Sequence, residues 1–103
     1  MNSEVLILYS RKGCCLCQTL EKKLSNICLS NLNPPIVLSI VDIDSKKVSL
    51  EIKMKYTNEV PVIVIDSNRL LKKIELPRVS PRLKEGMLFS WLQNNLNILY
   101  ETV

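Results

Sequence analysis

The 103 residues predict an α/β domain with the order strand, helix, strand, helix, strand, strand, helix, in which three helices flank a four-stranded mixed sheet. Three observations carry this prediction. Val5–Tyr9 is an apolar run without alternation and reads as a strand buried on both faces, Ile36–Ile43 is again a continuous β-rich run, and Val62–Asp66 is a short strand. Between and after them, apolar residues recur at helical spacing. Hydrophobic residues make up 47% of the chain, enough for one core at single-domain size, so residues 1–103 are read as one domain.

In chain order, Val5–Tyr9 is the first strand and Gly13 breaks it. Leu16, Leu20, Leu24, Ile27 and Cys28 then mark a helix from Cys14 to about Leu29. Asn31 to Pro35 is a loop, and Ile36–Ile43 returns as a strand parallel to the first. The next segment is ambiguous. Val48, Leu50, Ile52, Met54 and Tyr56 alternate as in a strand, but Val48, Ile52 and Tyr56 also share four-residue spacing with lysines and glutamate between them. With Asp44 and Ser45 available as caps, a short exposed helix is the better assignment. Val62–Asp66 and Leu70–Ile74 form an antiparallel hairpin about Ser67, Asn68 and Arg69. Ser80 caps a last helix with Pro81 in its first position, and Leu83, Met87, Leu88, Trp91, Leu92, Leu96 and Leu99 supply its apolar face.

Composition narrows the function. There is no histidine, which removes Cys-His pairs, Ser-His-Asp triads and histidine-containing zinc sites. The formal charge of +4 favours anionic partners. The basic stretch from Arg69 to Lys84 lacks aromatic interleaving or a nucleic-acid motif and reads as a solvated surface, so no nucleic-acid partner is expected. No apolar run approaches the roughly 20 residues of a membrane span. Met1 to Glu4 lacks the basic segment of a signal peptide, and Val5–Leu8 is too short for its core. We expect a cytoplasmic monomer without a membrane partner.

Three of the four cysteines crowd into Cys14, Cys15 and Cys17, which suits redox chemistry rather than a secreted disulfide framework. A C-x-x-C pair at a helix start places two sulfurs on one face, where a reversible disulfide forms. Unpaired N–H groups and the helix dipole there lower a cysteine pKa from about 8.5 to between about 3.5 and 7.5. Arg11 and Lys12 add positive charge. Cys14 is therefore the candidate nucleophile. Cys17 shares the buried face with Leu20, Leu24, Ile27 and Cys28 and is the resolving thiol. Cys28 lies too far along the helix to bridge and is expected in the core, whereas Cys15 points to solvent.

Tyr9-Ser10-Arg11-Lys12-Gly13-Cys14-Cys15-Leu16-Cys17 resembles the glutaredoxin signature, in which Tyr-Ser, a basic residue and glycine lead to C-P-Y-C. It is more similar still to small glutaredoxin-like proteins of the thioredoxin superfamily, which often carry C-C-L-C. Glu59-Val60-Pro61-Val62 resembles the family's Thr-Val-Pro segment. The resemblance spans essentially the whole chain and implies a thioredoxin-like fold and a cis Val60–Pro61 bond facing the dithiol. It also implies a substrate site of Arg11, Lys12, Cys15, Val60 and Pro61, with glutathione as co-substrate. The family's Gly-Gly-x-x-Asp segment is replaced by Leu76-Pro77-Arg78-Val79.

The expected activity is thiol–disulfide exchange on a protein disulfide or glutathione mixed disulfide, with no permanently bound cofactor and no metal site. The alternatives are a glutathione-assisted iron–sulfur or metal carrier and a non-catalytic binding module.

Overall fold

The computed structural model describes residues 4–101 and places the first apolar run in β1 (Glu4–Ser10). The other strands are β2 (Ile36–Asp42), β3 (Val62–Ser67) and β4 (Lys72–Glu75), in the sheet order β2-β1-β3-β4. β1 and β2 run parallel, from Glu4↔Ile36 to Ser10↔Asp42. β3 is antiparallel to both β1 and β4. The helices are α1 (Cys15–Asn26), α2 (Leu50–Tyr56) and α3 (Glu85–Glu101).

Side chains of successive strand residues point to opposite faces, and this divides the core into two layers. Leu6 and Leu8 of β1, with Ile63 and Ile65 of β3, pack against Leu20 and Leu24 of α1 and Leu88, Leu92 and Leu96 of α3. On the other face, Ile7, Tyr9, Val62 and Val64 meet Tyr56 and Ile52 of α2. The central strands thus need apolar residues throughout, which explains their unbroken runs. Among the described residues, no helix is long and apolar enough to cross a membrane.

Several boundaries differ from the sequence expectation. α1 ends at Asn26, because Ile27 turns extended (φ −86°, ψ 152°). The chain then makes a 3₁₀ turn, Leu29–Asn31, that carries Leu29 and Leu32 into the core. Burial of these residues by a non-helical path overrides the helical period, and Cys28, expected in the core, is exposed. Ser49, not Asp44 or Ser45, caps α2: its hydroxyl accepts the Ile52 N–H at 3.3 Å. β4 begins two residues later than expected, at Lys72. Ser80 and Pro81 open a separate turn, closed by Leu83 N–H to the Ser80 carbonyl at 3.1 Å, and α3 starts only at Glu85. Consequently Met87 lies in solvent, while Leu88, Leu92 and Leu96 fill the core.

Candidate functional site

The route from β1 into α1 is a tight turn. The Cys14 N–H donates to the Arg11 carbonyl at 3.2 Å, and Gly13, third in the turn, has φ +81°. A left-handed residue at that position is the mark of a type II turn and favours glycine. The turn delivers Cys14 to the N-cap of α1, where its Sγ accepts the Cys17 N–H at 3.2 Å. Cys14 and Cys17 form a disulfide with Cα atoms 5.2 Å apart, within the ordinary range for a bridge. Cys17 is 1% exposed, whereas Cys14 is half-buried. Cys15 is a free thiol facing solvent, next to the exposed Leu16.

The Val60–Pro61 peptide is cis, and Val62 directly after it opens β3. Because Val62 pairs with Tyr9, this segment lies at the end of the sheet where β1 leads into the Cys14 turn. Sequence positions about 45 residues apart are thereby gathered at one edge of the fold, by the antiparallel register.

Arg11 and Lys12 are placed differently. The Arg11 guanidinium holds Asp44 with two bonds, Nε to Oδ2 at 2.9 Å and Nη2 to Oδ1 at 3.0 Å, and Nη1 donates to the Thr57 carbonyl at 3.0 Å. Hydrogen bonding with Asp44 raises the Arg11 pKa above its ordinary value, and the same bonding holds the Asp44 carboxyl below its own. Lys12 is exposed and makes no ion pair among the described residues.

The segment in place of the family's Gly-Gly-x-x-Asp is built into the fold. Leu76 is buried and donates its N–H to the Ile63 carbonyl at 2.9 Å. Arg78 Nη1 donates to the Glu59 carbonyl at 2.9 Å and to Glu59 Oε2 at 2.7 Å. A cleft of about 350 Å³ opens between this segment and the turn before β3, with Pro61, Tyr56, Leu76 and Val79 in its walls. Asp44, Glu59 and Arg78 were not legible as site residues, since each is a single charge in an irregular stretch whose partner is remote in sequence. Among the described residues, no group of three or more His, Cys, Asp or Glu is placed to hold a metal ion.

Chemically, the arrangement pairs a half-exposed sulfur receiving an N–H bond with a buried sulfur one helical turn on. Comparison with known structures identifies the scaffold. The chain is similar to a malarial protein at 18% identity, covering 92% of this chain and 99% of that one with a TM-score of 0.60. It is also similar to thioredoxin-2, described as a component of malaria parasite protein secretion machinery, at 17% identity, 90% and 84% coverage and a TM-score of 0.58. Oxidised mitochondrial thioredoxin 3 from Saccharomyces cerevisiae aligns at 14% identity, 91% and 80% coverage and a TM-score of 0.55. These likenesses establish the thioredoxin fold. No curated protein matches the chain in sequence. The family model of the Glutaredoxin-like domain (DUF836), however, matches residues 5–93, a span that holds the dithiol, Val60–Pro61 and most of the core, and so the chain belongs to the glutaredoxin-like domain family.

Proposed function

We propose that the protein is a thiol–disulfide oxidoreductase in which Cys14 is the nucleophile and Cys17 the resolving thiol. The observation that carries this reading is the asymmetry of the pair: Cys14 is half-buried at the helix N-cap with its Sγ receiving the Cys17 N–H at 3.2 Å, while Cys17 is 1% exposed. In the reduced protein the same N–H and the helix dipole favour a Cys14 thiolate. That thiolate attacks a substrate disulfide, one substrate sulfur leaves as a thiolate that takes a proton from solvent, and a mixed disulfide remains. Cys17 then loses its proton and attacks Cys14 Sγ, releasing the second substrate sulfur and closing the Cys14–Cys17 bond. The substrate gains two electrons and the dithiol loses two. An external thiol reductant must reopen the bond before the next cycle.

The test is a titration of the dithiol against glutathione or dithiothreitol buffers. A reversible two-electron couple between about −180 and about −270 mV supports exchange, and absence of a reversible couple overturns it. Cys14→Ser is expected to abolish disulfide reduction. Cys17→Ser is expected to stall at a mixed disulfide, visible by mass spectrometry.

A further inference from the structure

The two edges of the sheet, β2 and β4, are built differently. β4 is four residues long and sets exposed Lys72, Lys73 and Glu75 along its edge, the charges by which natural sheets discourage the addition of a further strand. β2 has seven residues, Ile36 to Asp42, and carries no charge before the last of them. Val37 and Ile40 lie open on it, 55% and 39% exposed. Because β1 occupies one side of β2 only, alternate β2 residues turn their backbone N–H and C=O groups outward, where among the described residues no strand receives them.

This edge is complementary to itself. A twofold axis normal to the sheet runs a second β2 antiparallel to the first and keeps like faces together, so opposed residues must both be odd or both be even in number. With the axis on Ser39, Val37 stands against Val41 of the second copy and Ile40 against Leu38 of the second copy. Each exposed apolar side chain then meets an apolar one on its own face. An axis on Leu38 would set Val37 against serine, and one on Ile40 would set Leu38 against aspartate. Charge also permits the approach. The chain carries +4 overall, yet no lysine or arginine occurs from Leu24 to Ser45, and antiparallel pairing puts the two Asp42 carboxylates at opposite ends of the contact.

We propose that two copies of this chain join through their β2 edges, antiparallel about Ser39, so that the four strands of each form one continuous sheet. A contact one strand wide on each side falls below the roughly 1,200 Å² at which stable interfaces begin, so the association is weak, with a Kd between about 10 µM and about 1 mM. The chain is thus a monomer when dilute and a dimer when concentrated. β1 runs parallel to β2 and enters the Cys14 turn at the Asp42 end. Antiparallel joining therefore sends the two dithiols to opposite ends of the combined sheet, about 24 Å of strand apart, where both stay uncovered and no single ligand links them.

The experiment is sedimentation equilibrium of the full chain from about 10 µM to about 1 mM, with backbone-amide NMR over the same range. Dithiothreitol is present throughout, which removes disulfide links through the exposed Cys15 and Cys28. A monomer–dimer equilibrium is expected, with concentration-dependent amide shifts confined to residues 36–42 and their neighbours on β1. Val37→Lys places an ammonium on the edge and is expected to weaken the dimer at least about tenfold. Ile40→Lys, at the other exposed apolar position, is expected to do the same and keeps the test open should Val37→Lys misfold. Leu71→Lys adds the same charge at an exposed leucine in the turn between β3 and β4 and is expected to leave the equilibrium unchanged. A chain that stays monomeric throughout overturns the inference. So does a dimer whose amide shifts fall elsewhere, as on the Met87 and Trp91 groove of α3, or one that survives both β2 variants or is weakened as much by Leu71→Lys.

Discussion

Leu71, in the turn between β3 and β4, has φ +54° and is 88% exposed. The left-handed region costs an L-residue about 1–2 kcal/mol, and at this exposure little packing offsets it. Leu71→Asn is therefore expected to raise stability by about 0.5–1 kcal/mol, since asparagine tolerates that conformation. A urea midpoint that falls would show that the Leu71 side chain contributes contacts. Gly13 is the converse case. A Cβ there would meet nothing within 4 Å, so only the conformation at φ +81° penalises Gly13→Ala. The expected loss is about 1 kcal/mol, together with slower disulfide closure as the turn presenting Cys14 loosens. Glycine before the cysteines was readable as a chain break, whereas the left-handed Leu71 was not, because leucine carries no signal for a turn.

At the scale of elements, α2 shows how a pattern can support two structures. Five alternating apolar residues would all be placed on one face by a strand, but the helix buries Tyr56, half-buries Ile52 and leaves Leu50 and Met54 in solvent. Ile52 and Tyr56, four residues apart, both pack on the Tyr9 and Val62 face of the sheet. The helix has only seven residues and depends on its cap. Ser49→Ala is expected to cost about 1 kcal/mol, read as a lower denaturation midpoint. Because α2 leads into the turn gripped by Arg11, the same variant should also raise hydrogen exchange over residues 50–59. An unchanged exchange pattern there would separate the cap from the turn. α3 was legible from its apolar face, but its start was not. Ser80-Pro81 has the chemistry of a helix start and is used instead for a turn, stabilised by Lys23, whose ammonium donates to the Leu83 carbonyl at 2.8 Å.

Across the whole molecule, one buried cluster joins the two ends of the described chain. Glu4, 1% exposed, accepts hydrogen bonds from Tyr100 and from the backbone N–H groups of Asn68 and Arg69, at 3.2 and 3.3 Å for the latter two. Burial pushes the Glu4 carboxyl up, but hydrogen bonds from Ser67, Tyr100 and the two N–H groups outweigh it and hold the pKa below its ordinary value. A lowered folded pKa means the contribution is present above the unfolded value of about 4.3 and is lost as pH falls below it. Burial, followed by the bond to Glu4, pushes the Tyr100 phenol up to about 12. Its contribution is complete below about pH 10 and is lost as pH rises from there. Glu4→Gln is expected to cost about 1–3 kcal/mol at neutral pH and to flatten the acid limb of the stability profile. Urea midpoints between about pH 3 and pH 7 test this, and an acid limb as steep as wild type would place its origin in other carboxylates.

What the sequence determined by itself is what local chemistry encodes. The buried strand β1 follows from its unbroken apolar run, the helix after Gly13 from its period, and the exposure of Cys15 and burial of Cys17 from rotation about one helix axis, whereas β2 lies at the sheet edge with Val37 and Ile40 exposed. Cys28 failed for the same reason that the others succeeded, since the rotation argument holds only while the helix lasts and α1 ends at Asn26. The tertiary structure alone decided which remote residues meet. The Tyr9↔Val62 register brings Pro61 to the dithiol end of the sheet. Arg11 and Arg78 reach the turn before it across separations of 46 and 19 residues. Such pairings leave no periodic trace in a chain, because an ion pair between two loops depends on where the sheet has carried them and not on the spacing of the residues themselves.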